Sequence, residues 1–197
     1  MTIVVGLGNP GSEYERTPHN AGFLAVDELA ARAGAALHRR LRLSARLART
    51  RYGGQEVLLV QPQTFMNLSG QAVQAILNCH GASPSDMIVL LDDADLEPGV
   101  LRIRRRGGSG GHKGLQSILE TVGTDAFCRV RMGVGRDPAG GDLARFLLTP
   151  LTGADWERLN ETARRAADAV EMILEKGAEA AMNRYNGPAT PAEGVET

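Results

Sequence analysis

Cysteine is nearly missing from this 197-residue chain: Cys79 and Cys128 are the only two, far apart and without CxxC spacing. That argues against a disulfide scaffold or a cysteine zinc site, and both thiols read as small buried apolar side chains. Aromatics are scarce too, with four Phe, three Tyr and one Trp, which leaves few rings on which unpaired bases could stack. No apolar stretch approaches the roughly 20 residues that a membrane-spanning helix needs. The amino-terminus enters a strand-like run at once, without the basic and apolar regions of a secretion signal, so the chain reads as soluble and intracellular. Acidic residues are absent from Leu29 to Gln55, where Arg32, Arg39, Arg40, Arg42, Arg46, Arg49 and Arg51 all fall. A second acid-free run holds Arg102, Arg104, Arg105, Arg106 and Lys113, whereas the chain after Asp142 leans acidic. The net charge of −1 hides this asymmetry, which suits one face to a polyanion or, in the plainer reading, to solvent.

What is present is ordinary globular material, 43% hydrophobic and 23% charged, enough for one packed domain. Thr2 to Leu7, Val57 to Gln61, Met87 to Leu91, Leu101 to Arg104 and Val130 to Val134 read as strands, most of them buried. Leu41 to Thr50 alternates and reads as a strand with one wet, arginine-bearing face. Helical spacing runs over Asn20 to Ala33, Leu68 to Cys79 (capped by Asn67), Leu115 to Val122 and Ala154 to Lys176. This alternation predicts an α/β fold, a single domain with a mixed, mostly parallel sheet flanked by helices, and a hairpin at Gly53-Gly54. The domain is expected over residues 1–186, with 187–197 as a frayed tail.

Two glycine motifs mislead. Gly6-Leu7-Gly8-Asn9-Pro10-Gly11 fits GxGxxG, but a dinucleotide site needs a helix starting within the glycines. Here Pro10 and Pro18 hold the next residues out of a helix. Gly107-Gly108-Ser109-Gly110-Gly111 fits the GxSxG nucleophile elbow, yet the only later histidine is His112, three residues on. A triad of His19, Asp92 and Ser109 stays open beside the reading of a simple turn.

Thr17-Pro18-His19-Asn20 carries more. Its loop holds His19 beyond the end of the first strand, where open α/β sheets gather their sites, while His38 and His80 lie near arginines or a helix end. The duller alternative for His19 is a polar cap for the next helix. Asp92 ends the strand Met87 to Leu91, and emerges beside His19 if the two strands are parallel; it could then hold the imidazole and raise its basicity. Asp92, Asp93 and Asp95 together raise a metal reading that ranks low, with no histidine near them in sequence. Asn9 and Asn67 read either as turn or cap formers or as neutral amide donors toward a peptide group or a developing oxyanion.

These residues together resemble the bacterial-type peptidyl-tRNA hydrolases. The resemblance runs through Gly6 to Gly11, Tyr14, Thr17, His19-Asn20-Ala21-Gly22, Phe65-Met66-Asn67-Leu68-Ser69-Gly70, Asp92 to Asp95 and Gly110-Gly111-His112. It covers nearly the whole chain. It implies a monomeric cytoplasmic enzyme, without metal or organic cofactor or obligatory protein partner, that hydrolyses the ester between peptide and tRNA. By the same resemblance His19 is the base that activates water, Asp92 orients it, and Asn9 serves the oxyanion. Tyr14, Phe65, Asn67 and Lys113 fall at substrate positions, and Arg104 and Arg131 at positions that meet tRNA phosphates. Two positions depart from the family pattern: Pro18 stands where arginine is usual, and Lys113 where asparagine is usual. Lysine donates but cannot accept, so a two-way hydrogen bond to a peptide backbone is lost there. The alternative from the same resemblance is a non-catalytic RNA-binding relative, like a plant organelle splicing factor. RNA binding alone needs arginines and not the set His19, Asp92, Asn9 and Asn67.

Overall fold

A computed structural model describes residues 1–137 and 139–187. Among them, strands β1 (Thr2–Gly6), β2 (His38–Arg40), β3 (Ala45–Tyr52), β4 (Gln55–Pro62), β5 (Met87–Asp93), β6 (Leu101–Arg104) and β7 (Cys128–Gly133) form one sheet. Its order is β2-β3-β4-β1-β5-β7-β6. The inner strands β4, β1, β5 and β7 are mutually parallel, while the marginal pairs β2–β3, β3–β4 and β6–β7 are antiparallel. The mixed α/β sheet expected from the sequence is the one found. The β3–β4 hairpin turns at Gly53 and Gly54, both at positive φ (55° and 82°), which only glycine adopts without strain.

The helices are α1 (Ala21–Arg32), α2 (Ser69–His80), α3 (Lys113–Val122), α4 (Leu143–Leu147), α5 (Gly153–Lys176) and α6 (Ala178–Tyr185). They cover the sheet on both faces, so its inner strands are apolar throughout rather than alternating. Val4, Leu59, Ile88, Leu90 and Val130 point to one side and pack with α1 and α5. Ile3, Val5, Leu58, Val60, Val89 and Leu91 point to the other and pack with α2 and α3.

Several local expectations gave way to packing. Leu41–Leu43 is a 3₁₀ turn, and β3 starts only at Ala45, after Ser44 in the left-handed region (φ 46°). The cap of α2 is Leu68, with no side-chain bond, because Asn67 sits one residue earlier inside the 3₁₀ turn Met66–Leu68. Cys79 is exposed and Cys128 half-buried; α2 turns position 79 away from the sheet. Strand β2, α4 and α6 went unread, the first two being only three and five residues long. Of the expected tail, all but Gly187 lies outside the described residues.

The two edges of the sheet are finished differently. Asn186 lies along β6, accepting from the Ile103 N–H (2.6 Å) and donating to its carbonyl (3.1 Å), as a neighbouring strand would. At the other edge β2 is fully exposed and carries Arg39 and Arg40, the charge that discourages pairing with another chain.

Candidate active site

Because β1 and β5 are parallel neighbours, with Gly6 beside Leu90, the loops that follow them leave from the same edge. The loop after β1 is held tightly. A Cβ on Gly6 would lie 2.1 Å from the Gly22 carbonyl oxygen, and one on Gly22 would lie 2.4 Å from Leu7 N and from Leu90 O. The first motif glycine therefore serves close contact between α1 and β1. A short 3₁₀ turn, Pro18–Asn20, leads into α1 and leaves His19 buried at 9% exposure. The capping position of α1 is Asn20, so His19 is free for other work.

His19 Nδ1 lies 2.9 and 3.0 Å from the two carboxylate oxygens of Asp92. Asp92 is 2% exposed, so its ionised oxygens accept and Nδ1 carries the proton. Nε2 then keeps its lone pair at the side of the ring away from Asp92, and His19 lines a cleft of about 730 Å³. His112, which sequence reading set aside as too close to Ser109, places its Nε2 3.0 Å from Asp92 Oδ1. Burial alone would raise the Asp92 pKa, but the charges and hydrogen bonds of His112 and His19 outweigh it and hold the carboxyl well below its ordinary value of 3.8.

Asn9 is fixed from three directions. Its backbone N–H donates to Asn20 Oδ1 (2.8 Å), and its carbonyl accepts from Asn20 Nδ2 (3.0 Å). Its side-chain Oδ1 accepts from the Met66 N–H (2.8 Å). With the oxygen taken, the amide prong left for the cleft is Nδ2, a donor. Tyr14, Phe65, Asn67 and Lys113 line the same cleft; Asn67 is exposed, and Phe65 is 60% exposed. The far wall comes from α4, through Leu143 and Leu147, from Leu148 just beyond it, and from Arg136. That apolar wall was not legible, since a five-residue helix leaves almost no periodic signal.

The two arginines assigned to tRNA phosphates sit differently. Arg131 lines the cleft but is committed within the chain, to Asp93 (3.0 Å) and to the carbonyls of Gly108 (2.9 Å) and Ser109 (3.0 Å). Arg104 is exposed and pairs in register with Arg129, three positions along β6 from Leu101 at the catalytic edge. The Ser109 hydroxyl accepts from the Gly111 N–H (3.4 Å), as a turn residue does, while Asp92 bonds His19 and His112.

His19, Asp92 and His112 also have the composition of a metal site, with one ligand atom from each within 4.8 Å of the others. The hydrogen bonds oppose that use. His112 Nδ1 accepts from the Leu115 N–H (3.2 Å), which puts the ring proton on Nε2. A cation would need a lone pair there, and moving the proton to Nδ1 would set it against the Leu115 N–H.

The geometry, a carboxylate-held imidazole beside a fixed amide donor and a part-apolar cleft in an α/β fold, suits an enzyme that activates water. Comparison with known proteins then narrows the class. The chain belongs to the peptidyl-tRNA hydrolase family, whose model matches residues 3–193. It is 47% identical over 187 residues to the peptidyl-tRNA hydrolase of Moorella thermoacetica, spanning 94% of this chain and 98% of that one. It is 46% identical to that of Alkaliphilus oremlandii, over 95% of this chain and all of the other. The crystal structure of peptidyl-tRNA hydrolase from Acinetobacter baumannii superposes with a TM-score of 0.87 at 33% identity, covering 94% of each chain.

Proposed function

We propose that this chain hydrolyses the ester between a peptide and the 3′ end of its tRNA, releasing the tRNA stranded by abortive translation. The observation that carries the reading is the buried His19–Asp92 pair lining the cleft. In this mechanism His19 Nε2 takes a proton from water as the oxygen attacks the ester carbonyl. Asp92 stabilises the imidazolium that forms, and Asn9 Nδ2 donates to the tetrahedral oxyanion. Collapse expels the ribose oxygen, which takes the proton back from His19. General-base catalysis is worth about 10²–10⁴-fold and one oxyanion donor about 10²–10³-fold, ample for an ester.

Tyr14, Phe65, Asn67 and Lys113 shape the substrate groove in this reading. Amides there suit peptides of any sequence, because they bind the backbone. Arg104 contacts tRNA phosphates, positioning without reading sequence, and Arg131 does so while also holding the glycine loop. The enzyme acts as a cytoplasmic monomer, and residues 1–186 carry its activity. Among the described residues no helix is long and apolar enough to cross a membrane.

The test is release of peptide from an N-acyl-aminoacyl-tRNA by the wild type and by a folded His19→Ala variant. Rapid release that collapses in the variant supports the reading. Binding of the tRNA without release by the wild type would leave an RNA-binding relative instead, and a variant as fast as the wild type would remove His19 from the chemistry.

A further inference from the structure

Asp92 Oδ1 is shared between two imidazoles, and only one of them belongs to the proposed chemistry. The second, His112, is 9% exposed and stands at the start of α3, reached through Gly110 and Gly111 at positive φ (60° and 81°). Its Nδ1 caps that helix by accepting from the Leu115 N–H. Its Nε2–H therefore points to Asp92 as a donor, in a tautomer fixed by the helix. The two rings lie 4.9 Å apart between centroids, tilted by 48°, so each reaches the carboxylate from its own side.

We propose that His112 is a positioning residue: it holds the Asp92 carboxylate in the orientation that orients His19, and it fixes that orientation to the first turn of α3. This rests on the reading of His19 as the base. Taking up part of Oδ1, His112 also tempers how strongly Asp92 favours the His19 imidazolium. Tyr14, Lys113 and the pairs Asp93–Arg131 and Asp95–Arg136 also face the cleft, and all are left untouched in the variants below.

Two substitutions separate the cap from the carboxylate contact. His112→Asn keeps an acceptor near the Nδ1 position but cannot reach Asp92. His112→Gln keeps a donor near the Nε2 position but gives up the cap. Rates of peptide release are followed against pH, together with Tm, and His19→Ala is run alongside. His112→Asn is expected to lose some Tm, because the buried carboxylate gives up a donor, to lose about tenfold in kcat, and to move the acid limb of kcat/KM up by about half a pH unit, because a carboxylate relieved of one donor holds the imidazolium more strongly. His112→Gln is expected to lose Tm while staying within about threefold of wild-type kcat, with its pH profile in place. A His112→Asn enzyme with wild-type rate and profile would overturn the proposal, as would losses in both variants that follow Tm without moving the profile; His112 would then be a helix cap only. If His19→Ala kept both rate and acid limb, the base assignment would fall first and this proposal with it.

Discussion

Asp92 is the residue on which most of the site depends, since both imidazoles bond to it from within the protein interior. In Asp92→Asn an amide oxygen at the Oδ1 position can still accept from both rings, but its NH₂ then takes the Oδ2 position and faces the His19 Nδ1–H, donor against donor. The loss should be about 1–3 kcal/mol of stability at neutral pH and about 10²–10⁴-fold in kcat. The pH dependence has a definite sign. The folded carboxyl titrates well below its ordinary value of 3.8, so its contribution is complete above that value and is lost progressively as pH falls below it toward the folded value. Urea denaturation at pH 5 and at pH 2.5 should therefore show the gap between wild type and Asp92→Asn narrowing at the lower pH. Ser109→Ala should keep wild-type peptide release, because the hydroxyl only closes a turn onto Gly111; near-complete loss would restore the serine-nucleophile reading.

At the scale of elements, the loop bearing His19 is placed by how closely α1 can approach the sheet. Gly22 sits where its missing Cβ would meet the backbone of Leu7, just past β1, and of Leu90 in β5. Gly22→Ala should cost about 1–3 kcal/mol through overpacking. It should also lower kcat, because the displaced start of α1 carries His19 with it. Thermal unfolding and peptide release measured on the same preparation check both halves, and a stable, fully active variant would show that α1 can shift without moving the base. Helix boundaries were legible from periodicity over α1, α3 and α5. Asn67 as a cap was not, because the choice between Asn67 and Leu68 was made by a 3₁₀ turn packed beneath Asn9.

For the whole molecule, the uneven charge in the sequence resolves into different fates for the arginines. Arg32 is spent on Glu28 and Asp168, and Arg131 on Asp93, while Arg104 remains exposed on β6. Arg104→Ala should weaken tRNA binding and reduce the slope of log K against log salt by about one, leaving kcat at saturation unchanged. Affinity titrations between low and moderate salt measure this, and an unchanged slope would make Arg104 a solvated surface residue. A chain ended after Gly187 should retain full activity; loss on truncation would place residues beyond it in the function.

The sequence by itself determined every strand but β2, the long helices, the α/β class and the loop that carries His19, because periodicity and the proline and glycine breakers are local signals. It also offered His19, in the loop after one apolar run, and Asp92, at the end of another, as candidates. Only tertiary structure decided that they touch across 73 residues, since that follows from β1 and β5 lying side by side in parallel. It alone showed His112 as the second partner of Asp92, Arg131 as a brace for the glycine loop, and α4 as a wall of the cleft. Those outcomes depend on which hydrogen-bond donors and acceptors meet once the sheet has closed, and spacing along the chain does not encode such meetings.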